Sequence, residues 1–186
     1  MPPKPKITTE DILRAAVDIV RREGDQSLNA RTLAAQLGCS TQPIFSNFAS
    51  MEELRMAVVA EADRLCNACI QQEIASGAYP AYKASGMAYI RFAKEEPRLF
   101  RLLYMRDRTQ ESPQSKLEID QEIQQIIHRQ TGLTETDLQL FHLEMWTYVH
   151  GIATMLATGF YDLSWELVSK MLTDAYHGLM KQHRTE

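Results

Sequence analysis

Cysteine and histidine are the residue types in this 186-residue chain that could support redox or metal chemistry. Cys66 and Cys69 form a Cys-x-x-Cys pair, a spacing found in redox-active dithiols. The pair falls in the middle of a predicted helix, with no strand before it and with Arg64 as the one nearby cation. A reactive dithiol needs a more electropositive setting, so we predict core or surface thiols here.

The histidines lack the spacing of a zinc site. The sequence also lacks the Glu-x-x-His pairs of a metal-binding helical bundle, a Gly-rich phosphate loop and a nucleophile elbow. We therefore predict a protein that is not an enzyme and that uses no catalytic residues, metal or cofactor. The five histidines are His128, His142, His150, His177 and His183.

Charge and aromatic residues divide the sequence into two regions. The net charge of the chain is −4. Residues 1–50 carry six basic and five acidic side chains, so the excess of negative charge lies in residues 51–186. Thirteen of the fifteen aromatic residues follow position 78. We predict one domain over residues 1–50 and another over residues 51–186. No apolar run approaches the roughly 18 residues of a membrane span, which predicts a cytoplasmic protein without membrane contact.

Apolar residues recur with helical spacing along the whole chain, and no segment alternates as a strand would. We predict an all-α protein of about nine helices. The first helix follows a cap at Thr8 or Thr9 and ends at Gly24. Asn29 caps a short second helix that Gly38 ends, and a third covers residues 41–48.

The fourth predicted helix is long, beginning at a capping box over residues 50–53 and ending near Ser76. Its apolar stripe is predicted to contain Leu54, Val58, Ala62, Leu65 and Cys69. Two further helices lie on either side of the break at Pro97. The last three are predicted over residues 116–131, 137–158 and 164–183.

Two short helices joined by a three-residue turn, after a longer first helix, have the outline of a helix-turn-helix. Residues 12–54 closely resemble the N-terminal domain of the TetR/AcrR family of transcriptional regulators. The matching residues are Ala15-Ala16, Gly24, Leu28, Arg31-x-Leu33-Ala34, Leu37-Gly38-x-Ser40, Phe45, Phe48, Ser50 and Glu53-Leu54.

The resemblance implies that the third helix enters the major groove of double-stranded DNA. It implies base contacts from Thr41, Gln42 and Ser46, with Gln42 able to pair bidentately with adenine. It implies sugar and phosphate contacts from Arg31, Thr32, Phe45 and Asn47, to which Lys4 and Lys6 could add. The alternative for Arg31, Thr41 and Gln42 is that they are surface residues without a binding role.

Three positions depart from the family pattern in ways that remove backbone contacts. Phe45 stands where the family commonly has Tyr, Asn47 where it often has His, and Met51 where it often has Lys. Each change weakens a phosphate contact and leaves the helical scaffold intact. We expect weaker or more salt-sensitive DNA binding than in a relative that has the common family residues at all three positions.

The second region resembles the ligand-sensing and dimerising half of the same family. Trp146-x3-His150-Gly151 resembles the Trp-His-Gly signature of one C-terminal subfamily. These residues have two interpretations. They could pack in the core, with Gly151 leaving space for another helix, or they could contact a ligand. The predicted ligand-binding residues are Met87, Ile90, Phe100, Leu103, Tyr104, Trp146, His150 and Met155.

The resemblance also implies a homodimer in which the last two helices of each chain form a four-helix bundle. The sequence does not assign the faces. The residues concerned are Phe141, Met145, Val149, Ile152, Leu156, Leu167, Val168, Met171, Leu172 and Leu179. The implied function is a repressor that binds a palindromic operator and is released by a small apolar or aromatic inducer. The alternatives are a helical protein-binding adaptor and a small-molecule-binding protein with weak or lost DNA binding.

Overall fold

The structure is a computed structural model that describes residues 7–107 and 121–183. Lys4, Lys6 and the predicted helix start over residues 116–120 lie outside them. The described ranges contain nine α-helices and no strand, which confirms the all-α prediction. The helices are α1 (Thr9–Glu23), α2 (Ala30–Leu37), α3 (Gln42–Asn47), α4 (Met51–Ser76), α5 (Ala81–Glu95), α6 (Pro97–Tyr104), α7 (Gln121–Thr131), α8 (Glu135–Ala157) and α9 (Trp165–His183).

Local capping chemistry sets most helix ends. The Thr8 hydroxyl accepts the N–H of Asp11 at 3.1 Å, and the Asp11 carboxylate accepts the N–H of Thr8, which forms a capping box. Thr134 caps α8, so this helix begins two residues before the predicted start at Asp137. Gly77 adopts the left-handed conformation, with φ +68°, directly after α4.

The capping box predicted at the start of α4 forms, but one of its two hydrogen bonds involves a different backbone N–H from the one expected. The Ser50 hydroxyl accepts the N–H of Glu53 at 3.1 Å, as expected. The Glu53 carboxylate, however, accepts the N–H of Ala49 at 2.6 Å rather than that of Ser50. Both groups still satisfy backbone donors at the helix entry.

The chain divides into two compact units. Unit 1 comprises Met1–Leu65 and Glu96–Arg106, and unit 2 comprises Cys66–Glu95 and Asp107–Glu186. In unit 1, α1 packs against α2, α3 and α6. Its fully buried side chains are Ile12, Ala16, Ile19, Val20, Leu28, Leu33, Ile44, Leu54, Val58, Ala62, Leu99 and Phe100.

Helix α5 organises unit 2 and packs against α7, α8 and α9. Gly86 permits this close packing, because a Cβ there would lie 3.4 Å from both Leu172 and Val149. A separate part of the core gathers aromatic and aliphatic side chains around Phe141. Its buried members are Tyr82, Ile127, Leu133, Leu138, Phe141, Met145 and Met180.

The predicted stripe on α4 is wrong at its last position. Leu54, Val58 and Ala62 are buried as predicted, but Cys69 is exposed and Cys66 is the buried cysteine. Periodicity identifies a helix face but not how far along the helix another element covers it. Across residues 7–107 and 121–183, none of the helices has the length and hydropathy that a membrane crossing requires.

Candidate nucleic-acid interface and ligand-sensing residues

Helices α2 and α3 form a helix-turn-helix whose entry is fixed by Asn29. Its side-chain oxygen accepts the N–H groups of Arg31 at 3.0 Å and Thr32 at 3.1 Å. Gly38 ends α2 in the left-handed conformation, with φ +62°. The N–H of Cys39 then returns to the carbonyl of Ala34 at 3.0 Å. These local bonds determine the direction in which the chain enters α3.

Helix α3 has one buried face and one exposed face. Ile44 and Phe48 are buried in unit 1. Gln42, Phe45 and Ser46 are exposed, and Phe45 exposes about half of its surface. The predicted base-reading positions Gln42 and Ser46 therefore share the solvent face of α3.

The predicted contact residues fall into two groups by hydrogen bonding. Within the described part of the chain, the side chains of Arg31, Thr41 and Gln42 make no hydrogen bond or ion pair. Arg31 and Gln42 are exposed and Thr41 is partly buried. These three side chains remain available to an external partner without the loss of an internal bond.

The other three polar residues of the predicted set are already bonded inside unit 1. The Thr32 hydroxyl donates to the carbonyl of Ser27 at 2.7 Å, and the Ser46 hydroxyl donates to the carbonyl of Gln42 at 3.0 Å. The Asn47 amide donates to the carbonyl of Pro43 at 2.8 Å. The sequence pattern did not reveal these bonds, because they depend on side-chain conformation.

Helix α6 belongs with α1 in unit 1 and is joined to it by polar contacts. Arg21 forms an ion pair with Glu96 at 2.8 Å, and Arg98 donates to the carbonyl of Arg21 at 3.3 Å. Glu96 is the residue immediately before α6. The sequence analysis assigned no role to these residues, since they are far apart in the chain.

The predicted ligand-binding residues are distributed over both units. Phe100, Leu103 and Tyr104 lie on α6 in unit 1, where the rings of Phe100 and Tyr104 have centroids 5.0 Å apart. Phe100 and Leu103 are buried. In unit 2, Met87 and Ile90 are buried on α5, and Met155 is partly buried on α8.

Trp146 and His150 form a stacked pair on α8, with ring centroids 4.8 Å apart and an interplanar angle of 10°. The Tyr89 hydroxyl lies 2.9 Å from His150 Nδ1, and burial lowers the pKa of this histidine. A neutral imidazole can accept the phenolic hydrogen at Nδ1. Trp146 is 41% exposed, which excludes its interpretation as core filler. Gly151 is not a packing notch within this chain, because a Cβ there would meet no atom of a neighbouring element within 4 Å.

A second tyrosine–histidine pair joins the same two helices. The Tyr82 hydroxyl lies 3.0 Å from His142 Nδ1. Burial lowers the pKa of His142 to about 4 and raises the pKa of Tyr82. At neutral pH the imidazole is therefore uncharged, and in the tautomer protonated at Nε2 its Nδ1 accepts the hydrogen of the phenol.

Several large apolar side chains on α8 and α9 remain exposed in the single chain. Leu140, Leu143 and Leu167 are 51%, 46% and 44% exposed. By contrast, most of the residues named for the dimer interface pack inside unit 2. These inward-facing residues are Phe141, Met145, Val149, Ile152, Leu156, Val168 and Leu172.

Unit 1 also has an open groove with a volume of about 530 Å³, lined by residues of α1 and α4. It carries three carboxylates and three guanidinium groups above a short apolar floor, which suits an apolar ligand poorly. None of the predicted site residues lines it. The lining residues are Glu10, Leu13, Arg14, Val17, Asp18, Arg21, Glu61, Arg64 and Leu65.

Comparison with known proteins identifies both a family and a fold. Residues 82–175, half of the chain, match the family model of the tetracyclin repressor-like C-terminal domain. A search of curated proteins finds no significant sequence match.

Among the solved structures with a similar fold, two illustrate matches over most of this chain. A TetR-like transcriptional regulator from Rhodococcus sp. RHA1 is 16% identical, with a TM-score of 0.66, and the match covers 91% of this chain and 94% of that one. A protein of unknown function from the same organism is 19% identical, with a TM-score of 0.72 and coverage of 98% and 99%. At these identities the structural likeness establishes the fold.

Proposed function

This chain belongs to the TetR family of transcriptional regulators, and we propose that it is a repressor that binds a palindromic DNA operator as a homodimer. The observation that carries the proposal is the unpaired polar group formed by Arg31, Thr41 and Gln42 at the helix-turn-helix. Binding of a small-molecule inducer causes the repressor to dissociate from the operator. The repressor acts in the cytoplasm and needs no cofactor, metal or catalytic residue.

Helix α3 enters the major groove in this proposal. Gln42 pairs with adenine through its carboxamide, and Thr41 offers a hydroxyl and a methyl group. Arg31 contacts a phosphate from the start of α2. Phe45 and Ser46 complete the contact surface on the exposed face of α3, with Thr32 and Asn47 at its margins. Because few cationic residues take part, base contacts supply a larger share of the binding free energy.

The exposed apolar stripes of α8 and α9 support dimerisation. Leu140, Leu143 and Gly151 recur on one face of α8, while Leu167 and Gly178 recur on one face of α9. A Cβ at either glycine would meet no neighbouring atom within 4 Å, so a second helix could approach closely. We propose that these stripes pair with those of a second copy in a four-helix bundle.

The inducer is proposed to be small and apolar or aromatic, since its predicted contacts are mainly hydrophobic. The predicted contacts are Met87, Ile90, Phe100, Leu103, Tyr104, Trp146, His150 and Met155. The attachment of α6 to α1 through Glu96 and Arg98 supports a route by which ligand binding would move α1. The inducer would favour a dimer whose two α3 helices no longer match the operator spacing.

Binding to fragmented genomic DNA at physiological salt tests this function. Wild-type protein should retain a small set of fragments, and Arg31→Ala with Gln42→Ala should retain none of them selectively. Gln130→Ala, which removes an exposed glutamine from α7, is the matched control and should behave as wild type. Failure of wild-type protein to retain any fragment would favour the adaptor or small-molecule-binding alternative.

A further inference from the structure

Asn47 uses both ends of its side-chain amide inside unit 1. Nδ2 donates to the carbonyl of Pro43 at 2.8 Å, and the Thr9 hydroxyl donates to Oδ1 at 2.8 Å. The carbonyl of Pro43 can only accept, so the amide nitrogen must face it. The amide oxygen is thereby directed to Thr9, and the two bonds fix one orientation of the side chain.

The Thr9–Asn47 bond joins the last residue of α3 to the first residue of α1, while the bond to Pro43 lies within α3. Helix α3 has only six residues, too few to be stable without tertiary contacts. Ile44 and Phe48 bury its inner face but offer no directional bond through their side chains. The Thr9–Asn47 contact supplies a directional attachment at the end of α3.

Helix α2 is attached to α1 by a carboxamide in the same manner. Gln36 accepts a hydrogen bond from Arg22 at 2.5 Å and donates to the carbonyl of Ala15 at 3.2 Å. In both helices, the amide oxygen takes a hydrogen from an α1 side chain. The amide nitrogen of Gln36 binds a carbonyl of α1, whereas that of Asn47 binds a carbonyl of α3 itself.

We propose that Asn47 is a positioning residue that sets the orientation of α3 on α1, with Thr9 as its partner. The proposal rests on the DNA-binding function above and assigns Asn47 a role other than the phosphate contact implied by the family resemblance. One hydrogen on Nδ2 is not needed for the bond to Pro43. The experiments must therefore separate positioning from direct contact with a phosphate.

The first experiment measures amide hydrogen exchange without DNA. Thr9→Val keeps the side-chain shape but removes the hydroxyl, whereas Thr9→Ser keeps it. Exchange at the N–H of Phe48, which donates to Ile44 at 2.9 Å, should rise about fivefold in Thr9→Val and in Asn47→Ala. Thr9→Ser should match wild type. Wild-type exchange in both Thr9→Val and Asn47→Ala, with folding verified by circular dichroism, would overturn the proposal.

The second experiment uses a DNA duplex selected by the wild-type protein. Thr9→Val and Asn47→Ala should each weaken binding about fivefold, and the double variant should lose no more than Asn47→Ala alone. The dependence of affinity on salt should keep its wild-type slope in all three. A shallower slope in Asn47→Ala together with unchanged binding in Thr9→Val would make Asn47 a phosphate ligand. If wild-type protein selects no duplex, DNA binding itself fails, and the exchange experiment still decides the role of Asn47.

Discussion

The two units present their polar side chains in opposite ways. In unit 1, Arg31, Thr41 and Gln42 extend from short capped helices without an internal hydrogen-bond partner in the described residues. In unit 2, the hydroxyls of Tyr82 and Tyr89 pair with His142 and His150. These three polar groups of unit 1 are thus available to an external molecule, while these two phenols of unit 2 are paired with imidazoles of the same unit.

This difference has a physical cause in burial. An exposed polar group retains its hydration when unpaired, so it can stay without a protein partner at little energetic cost. A buried hydroxyl without a partner destabilises the fold, so unit 2 pairs its phenols with neutral imidazoles. The aromatic enrichment of the second region therefore reflects core construction as well as any ligand site.

The largest expected effect tests the aromatic core of unit 2. Phe141 is fully buried, and Phe141→Ala should lower the free energy of unfolding by about 3–5 kcal/mol. Phe160→Ala removes a ring that is 72% exposed and should change stability by less than about 0.5 kcal/mol. Urea denaturation measures both. Similar losses in the two variants would contradict the distinction between core and surface aromatics.

The next effect concerns the exposed leucines, which lie in unit 2 rather than in unit 1. Leu143→Asp places a charge in the proposed dimer interface and should weaken dimerisation by about 2–4 kcal/mol. Met56→Asp changes an equally exposed side chain of unit 1 and should leave the dimer intact. Sedimentation equilibrium over a concentration series distinguishes them. Equal dimerisation in wild type and Leu143→Asp would remove this face from the interface.

A smaller effect tests whether unpaired polar groups of unit 1 read sequence. Gln42→Ala should relax the preference at one operator position by about 1–3 kcal/mol, because it removes the carboxamide that we propose recognises the base. Binding constants for a panel of single-base operator variants measure this change, with Gln130→Ala as the control. An unchanged preference would remove Gln42 from the reading residues.

The smallest effect concerns protonation inside unit 2. Burial lowers the pKa of His142 to about 4, whereas an unfolded chain has a histidine pKa of about 6.5. The unfolded chain therefore binds the extra proton first, and stability should fall as the pH decreases from about 6.5 to about 4. We expect about 1–2 kcal/mol from this group, since it is not fully buried. His142→Asn keeps an acceptor without titrating, so urea denaturation across this pH range should show a shallower slope. The same slope in both proteins would assign the pH dependence to other groups.

Helix ends followed directly from the sequence because their chemistry is local. Thr8, one of the two predicted caps of α1, and Asn29 cap their helices, and Gly38 and Gly77 take positive φ after α2 and α4. A cap involves residues only two or three positions apart, so short-range spacing is sufficient to recognise it.

The side-chain partnerships could not be predicted in the same way. The Thr9–Asn47 bond joins residues 38 positions apart, and the tyrosine–histidine pairs are separated by about 60. Trp146 has the spacing of a core residue on α8, yet it is exposed, because helical periodicity does not reveal which faces are covered by other helices. The same reason separates the inward-facing Val149 from the outward-facing Gly151.

Selection of bound duplexes from random-sequence DNA by the wild-type protein tests the central claim most directly. The account predicts enrichment of one inverted repeat, with half-sites about 34–36 Å apart or a multiple of that distance. The repeat should be absent from sequences selected by Thr41→Ala with Gln42→Ala. A wild-type selection without any enriched motif, or with a motif that this double variant reproduces, would contradict sequence recognition by α3.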